Sequence, residues 1–311
     1  LHGGYFDLRE LPSLSRRVPL ILNLRDTWLL TGHCGYFMEC DRWRHGCGHC
    51  PDLRRYPGIW RDATAENWRR KAAIFAESRL HVTAPSEWLL ACARQSMLGA
   101  AQFRRIPNGI DLTVFRPGDR AAARARLGLA PGVPVVMFAA ASPRNVYKDP
   151  QTMNAVVRAV AASRVGAAPP VFLCVGAAMP AAGLKGLDVR CLPFMADPAA
   201  LADTYRAADV FVHTARAEAF GKTVTEAMAC GTPVVASAVG GVPEQFEDGV
   251  EGFLAAPGDV GGMATRILGL LADPARREAC SQAAAKRALC YDVSTQVERF
   301  LKWYDELRRN P

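Results

Sequence analysis

Two carboxylates in the stretch 213–235 are the residues best placed to do chemistry. Glu218 and Glu226 stand eight positions apart, the first in a predicted loop after a strand and the second on a predicted helix. At ~1.5 Å rise per residue they lie on the order of 10 Å apart, which suits two ends of one extended ligand and is too far for a shared proton. The alternative is that Glu218 caps the helix dipole and Glu226 is a solvated surface residue.

The helix between these carboxylates is predicted to start near Phe220. Its first N–H groups, including those of Gly221 and Lys222, have no acceptor within the helix and are suited to bind phosphate. Gly240 and Gly241 supply a second glycine-rich turn from strand to helix. Acidic groups on both sides of an anion site predict a ligand with hydroxyls flanking its phosphates, which is the form of a nucleotide sugar.

A cysteine cluster lies in the predicted insertion 33–50. Its members are Cys34, Cys40, Cys47 and Cys50. Because the sequence shows no export signal, these thiols favour metal binding over disulfides, and four thiolates satisfy a closed tetrahedral zinc site. The spacing between Cys47 and Cys50 is that of half a zinc knuckle, whereas the other spacings leave an iron–sulfur site or reduced thiols open. A catalytic zinc is disfavoured because four cysteines leave no open position.

The composition describes a globular chain with a substantial core. Of 311 residues, 50% are hydrophobic and 22% are charged, and the formal net charge is +8. The absence of a long apolar run or signal peptide pattern favours a cytoplasmic protein. The positive charge suits anionic ligands or the inner face of a membrane, and without a dense Lys/Arg run nucleic acid is disfavoured. The chain begins with Leu and shows few early strands, so the first domain is expected to be incomplete at its N-terminus.

Alternating apolar runs and Ala-rich stretches predict an α/β fold with a parallel sheet. The predicted strands are 133–141, 171–176, 189–194, 210–214 and 233–237, and the predicted helices between them are 150–163, 198–207 and 220–230. The strands are unbroken in their apolar character, which is expected where helices cover both faces of the sheet. This half is predicted to be a Rossmann-like domain.

We predict three segments along the chain. Residues 1–115 form a first Rossmann-like domain, 116–292 a second, and 293–311 a helix that packs back on the first. In the first domain, 19–24 and 80–84 are predicted strands, and Ser86 is predicted to cap the helix 87–97. The final helix is predicted to dock through an apolar face that contains Val297, Phe300, Leu301 and Leu307, with Trp303 and Tyr304 among them.

The stretch from Glu218 to Glu226 resembles the E-x7-E motif of the retaining glycosyltransferases of family four. The match continues at 233–237, at Gly240 and Gly241, and in earlier landmarks such as 84–89 and 106–111. The resemblance implies a GT-B fold of two facing Rossmann-like domains, with the sugar donor bound mainly by the second and the acceptor by the first. The pattern 28–32 and the cysteine cluster look most like the branch that builds exopolysaccharides and lipopolysaccharide-linked glycans.

The resemblance also implies roles for the motif residues. Glu218 would hold hydroxyls of the transferred sugar, and Glu226 would bind the ribose of the nucleotide. The amides at 220–222 would contact the diphosphate, whose charge Lys148 would neutralise. Catalysis would then need no metal ion.

Two positions depart from the family pattern. The family usually has Lys-Gly with an Arg five residues earlier, whereas here Asp149 follows Lys148 and the Arg nearest that position is Arg144, which is predicted to bind the donor. Many relatives place a His-Asp pair after a first-domain strand, where this chain has Arg25 and Asp26. Asp26 is carried over as a sugar contact, and Arg25 favours an anionic acceptor or the donor phosphate.

These features together predict a retaining glycosyltransferase that moves a sugar from a nucleotide-diphosphate sugar to a glycan or a lipid-linked acceptor. Two alternatives stay open. A nucleotide-sugar epimerase of the same fold would keep the donor site without an acceptor, and a non-catalytic module would bind a nucleotide or a partner only. The sequence does not specify the base, the sugar or the acceptor.

Overall fold

The computed structural model describes residues 6–99, 102–139, 145–163, 168–176 and 184–309. Within these ranges the strands are β1 Leu20–Asn23, β2 Leu80–Ala84, β3 Gln102–Arg105, β4 Val135–Ala139, β5 Val171–Val175, β6 Val189–Leu192, β7 Val210–His213, β8 Val234–Ser237 and β9 Gly252–Ala255. The helices are α1 Leu11–Ser15, α2 Thr64–Ala76, α3 Glu87–Arg94, α4 Arg120–Arg126, α5 Pro150–Ala162, α6 Pro198–Ala207, α7 Lys222–Ala229, α8 Val260–Ala272, α9 Pro274–Ala288 and α10 Val293–Arg309.

The chain divides into two compact units. The first comprises Leu1–Asn108, Glu218–Phe220 and Gln296–Pro311, and the second comprises Gly109–Ala217 and Gly221–Thr295. The divisions therefore fall at 108/109 and 295/296, within a few residues of the predicted positions 115/116 and 292/293. Each unit contains its own parallel sheet.

The second unit has a six-stranded parallel sheet in the order β6-β5-β4-β7-β8-β9. The chain runs from β4 to β6 on one side and then returns to lay β7 to β9 on the other. Strands β4, β5, β7 and β8 are almost wholly buried because helices cover the sheet, as the unbroken apolar runs predict. The point where the strand order reverses, between β4 and β7, is where folds of this kind bind ligands.

The predicted strands and helices of this unit are all present; α6 has its predicted bounds, and the others are slightly shorter. The last two residues of the predicted strand 133–141 lie outside the described residues. Strand β9, with its Gly252, was not predicted. A Cβ at that glycine would meet the Val234 carbonyl oxygen at 2.4 Å, so close pairing with β8 requires glycine there.

The first unit is built on a three-stranded parallel sheet in the order β1-β2-β3. Leu20 pairs in register with Leu80, and His81 pairs with Gln102. Ser86 caps α3 as predicted, because its Oγ accepts a hydrogen bond from the Leu89 N–H at 3.3 Å. No helix in the described part of the chain is both long and apolar enough to span a membrane.

The final helix, α10, docks through part of the predicted face, with Phe300, Trp303 and Leu307 at the core. Its residues from Gln296 onward belong to the first unit, where Trp303 and Leu307 pack with Ile106. Val297 and Leu301 of the predicted face are about half exposed, at 49% and 56%. Apolar residues occur on both sides of this helix, and the larger indole ring occupies the core.

Candidate functional site

Loops at the carboxyl ends of β4 and β7 are joined at the point where the strand order reverses. The Thr214 hydroxyl donates to the Lys148 carbonyl at 3.0 Å, and the Arg216 N–H donates to the Tyr147 carbonyl at 2.8 Å. Lys148 is therefore held next to the loop that leads towards α7. This brings together two of the segments predicted to bind an anion.

Asp149, which departs from the family's usual glycine, occupies a left-handed backbone position with φ 47° and ψ 67°. Such a conformation favours glycine, and Asp tolerates it better than most residues. The Asp149 carboxylate also caps α5, because it accepts from the Thr152 N–H at 3.0 Å and from the Thr152 hydroxyl at 2.7 Å. The departure is therefore compatible with the backbone turn that the motif needs.

Helix α7 begins at Lys222, two residues later than predicted. Gly221 is its N-cap residue and has a positive φ of 87°, which favours glycine. The Val224 N–H already donates to the Gly221 carbonyl at 2.9 Å, so the helix-start N–H groups suited to an anion are those of Lys222 and Thr223. Phe220 is buried and precedes this cap.

Glu226 is buried within the second unit, with only 7% of its surface exposed, so the alternative of a solvated surface residue is wrong. The Tyr205 hydroxyl donates to Glu226 Oε2 at 3.1 Å, and Lys222 Nζ lies 3.7 Å from Oε1. Burial raises the pKa of Glu226, and Lys222 and Tyr205 oppose that shift. Tyr205 was not predicted as a site residue, since nothing in its sequence neighbourhood marks it.

Three further residues are predicted to bind the donor: Gly240, Gly241 and Arg144. Gly240 and Gly241 follow β8, which pairs with β7, so their turn lies at the same carboxyl edge of the sheet. Gly240 has a φ of 53°, in the left-handed region. Arg144 lies outside the described residues.

In the first unit, polar residues follow β1, β2 and β3 at one edge of the sheet. Asp26 Oδ1 accepts from the Trp28 N–H at 2.9 Å, and Arg25 donates to the Asn108 side chain. Ser86 follows β2 at the same edge. The Arg25 residue as a whole keeps a substantial exposed surface, whereas partial desolvation of its guanidinium lowers the pKa of that group.

Residues Glu218–Phe220 belong to the first unit, whereas Glu226 belongs to the second. The Ala219 N–H donates to the Tyr36 hydroxyl at 3.1 Å, and the Ser86 hydroxyl donates to the Ala219 carbonyl at 2.6 Å. Glu218 is half-buried. The segment that carries Glu218 is thus fixed by named side chains of its unit.

The four cysteines of the predicted metal site line one small cavity of the first unit together with His33. They belong to the cysteine loop, residues 31–63, whose only regular structure is a 3-10 turn at Arg42–Arg44. As they stand, no three or more His, Cys, Asp or Glu side chains in the described ranges are arranged to hold a metal ion. The predicted set therefore stays a prediction.

Comparison with known proteins supports the class indicated by this geometry. Residues 170–287 match the family model described as "Glycosyl transferases group 1". The α/β fold with parallel sheets has glycosyltransferases of the GT-B type as structural neighbours. The chain thus has a GT-B fold and, in its second unit, the sequence pattern of group 1 glycosyltransferases.

Particular relatives are similar over about two thirds of the chain. D-inositol 3-phosphate glycosyltransferase 1 of Catenulispora acidiphila is 38% identical over 227 residues, which are 67% of this chain and 53% of that protein. The D-inositol 3-phosphate glycosyltransferase of Mycobacterium avium is 39% identical over 206 residues, or 63% and 47% of the two chains. The chain therefore spans about half the length of the curated relatives it matches.

Solved structures extend the likeness to most of the chain. Sucrose-phosphate synthase from Thermosynechococcus elongatus has a TM-score of 0.67 and 27% identity, covering 81% of this chain and 65% of its own. Anabaena Alr3699/HepE in complex with UDP has a TM-score of 0.70 and 23% identity, covering 96% and 77%. At 23% identity, the similarity to Alr3699/HepE shows a shared fold only.

Proposed function

We propose that this protein is a retaining glycosyltransferase that takes its sugar from a nucleotide-diphosphate sugar. The observation that carries the proposal is the joined pair of loops at the reversal of strand order. There Lys148 lies beside the segment leading to α7, whose start at Gly221 and Lys222 offers N–H groups to an anion. Glu226, on the same helix, supplies an oriented carboxylate for nucleotide hydroxyls.

Departure of a nucleoside diphosphate requires stabilisation of its growing negative charge. The Lys148 ammonium and the N–H groups at the start of α7 supply positive charge that is positioned before the reaction. In the reaction, the bond between the anomeric carbon and the phosphate oxygen breaks, and a bond to the acceptor oxygen forms on the same face. The acceptor hydroxyl gives its proton to the leaving diphosphate. Retention and front-face attack rest on the family resemblance.

The other carried-over residues take supporting roles in the proposal. Glu218 and Asp26 would accept hydrogen bonds from hydroxyls of the transferred sugar. Gly240 and Gly241 leave room for the donor near the strand ends. UDP and UDP-glucose are bound by Alr3699/HepE, which supports a nucleotide sugar as the donor.

The acceptor is proposed to be a glycan or a lipid-linked glycan, on the strength of the motif 28–32 and the cysteine cluster. A second candidate is a small phosphorylated polyol. The positive charge of Arg25 and the similarity of the chain to D-inositol 3-phosphate glycosyltransferases favour that candidate. An Arg25→Ala variant with unchanged acceptor affinity and turnover would exclude a role for Arg25 in holding an anionic acceptor.

A thermal-shift panel of nucleoside diphosphates and their sugars tests the proposal. Binding to the folded state raises its stability, so we expect one nucleoside diphosphate to raise the Tm. Glu226→Gln should weaken this binding roughly 10- to 100-fold through loss of a charged hydrogen-bonding partner. The exposed Glu298→Gln is the matched control and should bind as the wild type does.

The same variants separate lost binding from lost folding. Because burial raises the pKa of Glu226, ionising it at neutral pH costs folding free energy. Glu226→Gln should therefore unfold no earlier than the wild type. Failure of every nucleoside diphosphate to bind the folded wild type would contradict the proposal. Conversion of a nucleotide sugar into its epimer without net diphosphate release would favour an epimerase, and diphosphate release only when an acceptor is added would exclude one.

A further inference from the structure

The lining of the cavity in the cysteine loop includes none of the residues assigned to the donor. The cavity is lined by His33, Cys34, Cys40, Cys47 and Cys50 among others. These side chains come from a stretch of 18 residues that has little regular structure of its own. Trp43 anchors this stretch in the hydrophobic core of the unit, and a bound ion would add a second point of attachment.

His33 is buried, with 3% of its surface exposed, and its two ring nitrogens have different partners. Nδ1 lies 3.1 Å from the Pro57 carbonyl oxygen, and Nε2 lies 3.3 Å from Cys50 Sγ. A carbonyl oxygen can only accept, so Nδ1 carries the proton and Nε2 presents its lone pair towards the sulfur. Metal-bound histidines show this arrangement, in which a backbone carbonyl fixes the ring and the other nitrogen faces the ion.

Backbone N–H groups contact two of the sulfur atoms. The Gly32 N–H donates to Cys47 Sγ at 3.2 Å, and the Asp52 N–H hydrogen-bonds to Cys50. Hydrogen bonds of this kind to the sulfur atoms stabilise thiolates that bind a metal ion.

We propose that His33, Cys40, Cys47 and Cys50 form a structural zinc site that fixes the cysteine loop. Four protein ligands close a tetrahedral site and leave no position for a substrate, so the ion would stabilise the fold without taking part in catalysis. Since no three of these groups are yet at coordinating positions, the side chains around the cavity must turn inward when the ion binds.

This ligand set replaces Cys34 of the sequence prediction by His33. Cys34 also lines the cavity, and its backbone carbonyl accepts from the Thr31 hydroxyl at 2.7 Å. We choose His33 because its Nε2 already lies 3.3 Å from Cys50 Sγ. The proposed set therefore consists of three thiolates and the His33 imidazole, whose Nε2 already faces Cys50.

Zinc content of the full chain, purified without a polyhistidine tag and with its thiols reduced, tests the site. We expect about one zinc ion per wild-type chain. His33→Asn, Cys40→Ser, Cys47→Ser and Cys50→Ser should each lose most of it. Cys34→Ser should retain zinc, as should two controls at exposed positions, His45→Asn in the same loop and Cys290→Ser outside it.

Cobalt exchange of the wild type gives a second measurement that needs no variant. Tetrahedral cobalt should show d–d bands in the visible and a thiolate charge-transfer band whose intensity corresponds to three thiolates. Four thiolates, or loss of zinc in Cys34→Ser with retention in His33→Asn, would overturn the ligand set. A wild type that binds neither zinc nor cobalt when reduced, or that holds a Cys47–Cys50 disulfide, would overturn the site itself.

Discussion

The two units position their polar loops by different means. In the second unit, the loops that carry Lys148 and Gly221 leave neighbouring strands of a buried sheet, and the sheet brings them together. In the first unit, the cysteine loop contains no strand, and it is held by the packing of Trp43 in the core and by side-chain contacts such as those of Lys71. A change in a loop of the second unit should therefore affect ligand chemistry more than folding, and the reverse should hold for the cysteine loop.

Lys71 contacts the segment that precedes the cysteines. Its ammonium group is buried, donates to the Trp28 carbonyl at 2.6 Å and to the Thr31 carbonyl at 2.9 Å, and lies 3.6 Å from the centre of the Trp28 ring. Trp68 adds a contact within the loop, because its indole N–H donates to the Trp43 carbonyl at 2.8 Å. Helix α2, which carries both Lys71 and Trp68, thus serves as the support of this loop.

Replacement of Lys148 should give the largest effect and leave the fold intact. Because its charge is proposed to stabilise the leaving diphosphate, Lys148→Ala should lower kcat on the order of 100- to 1000-fold. The free energy of unfolding should stay near that of the wild type. Steady-state turnover and urea unfolding measured on the same samples check both halves of this expectation.

The exposed Lys185→Ala, also in the second unit, is the matched control for a general loss of positive charge. It should leave kcat unchanged. Equal losses in the two variants would indicate a diffuse electrostatic effect, and an unfolded Lys148→Ala would remove the contrast between the two units.

Lys71→Met should have the opposite profile. It leaves the carbonyls of Trp28 and Thr31 buried without their donor, which costs roughly 2–4 kcal/mol of folding free energy. Urea unfolding measures this loss, with the exposed Lys302→Met as the control. A stability within error of the wild type would show that the cysteine loop does not depend on this support.

The pH dependence of the unfolding free energy, compared between wild type and Lys71→Met, gives a second test. Burial lowers the pKa of Lys71 from 10.5 to about 7. Between these values the unfolded chain binds more protons than the folded chain, so this lysine makes stability rise with pH. The difference in unfolding free energy between wild type and Lys71→Met should therefore grow from about pH 7 to about pH 9, and a shrinking difference would contradict the assignment.

The sheet of the second unit could be predicted because its signal is periodic and local. Runs such as 171–176 and 210–214 are apolar throughout, and the glycine-rich turns mark where they end. The motif from Glu218 to Glu226 could be found for the same reason. Its division between the two units could not, since that depends on contacts of Ala219 with Tyr36 and Ser86 far away in sequence.

Residues that act through distant partners gave no signal in the sequence. Tyr205 contacts Glu226 across 21 positions, and Lys71 contacts Thr31 across 40. Neither stands in a pattern that predicts its partner. His33 differs, because its position directly before Cys34 could have suggested a mixed ligand set for the cysteine cluster.

The smallest predicted effect concerns Asp149, where backbone conformation and capping can be separated. Asp149→Gly loses the cap but relieves the positive φ, so it should cost only a few tenths of a kcal/mol. Asp149→Ala loses the cap and places a Cβ in the left-handed region, which should cost about 2 kcal/mol. If urea unfolding shows the two variants to be equal, then capping alone accounts for this position, and the resemblance to the Lys-Gly motif would not reflect backbone conformation. If Asp149→Ala is less stable than Asp149→Gly, as expected, then Asp149 adopts the left-handed conformation that glycine usually adopts and also caps α5. Asp149 would then hold the Lys148 loop in place through α5, whereas the other loops of this unit are positioned by the sheet.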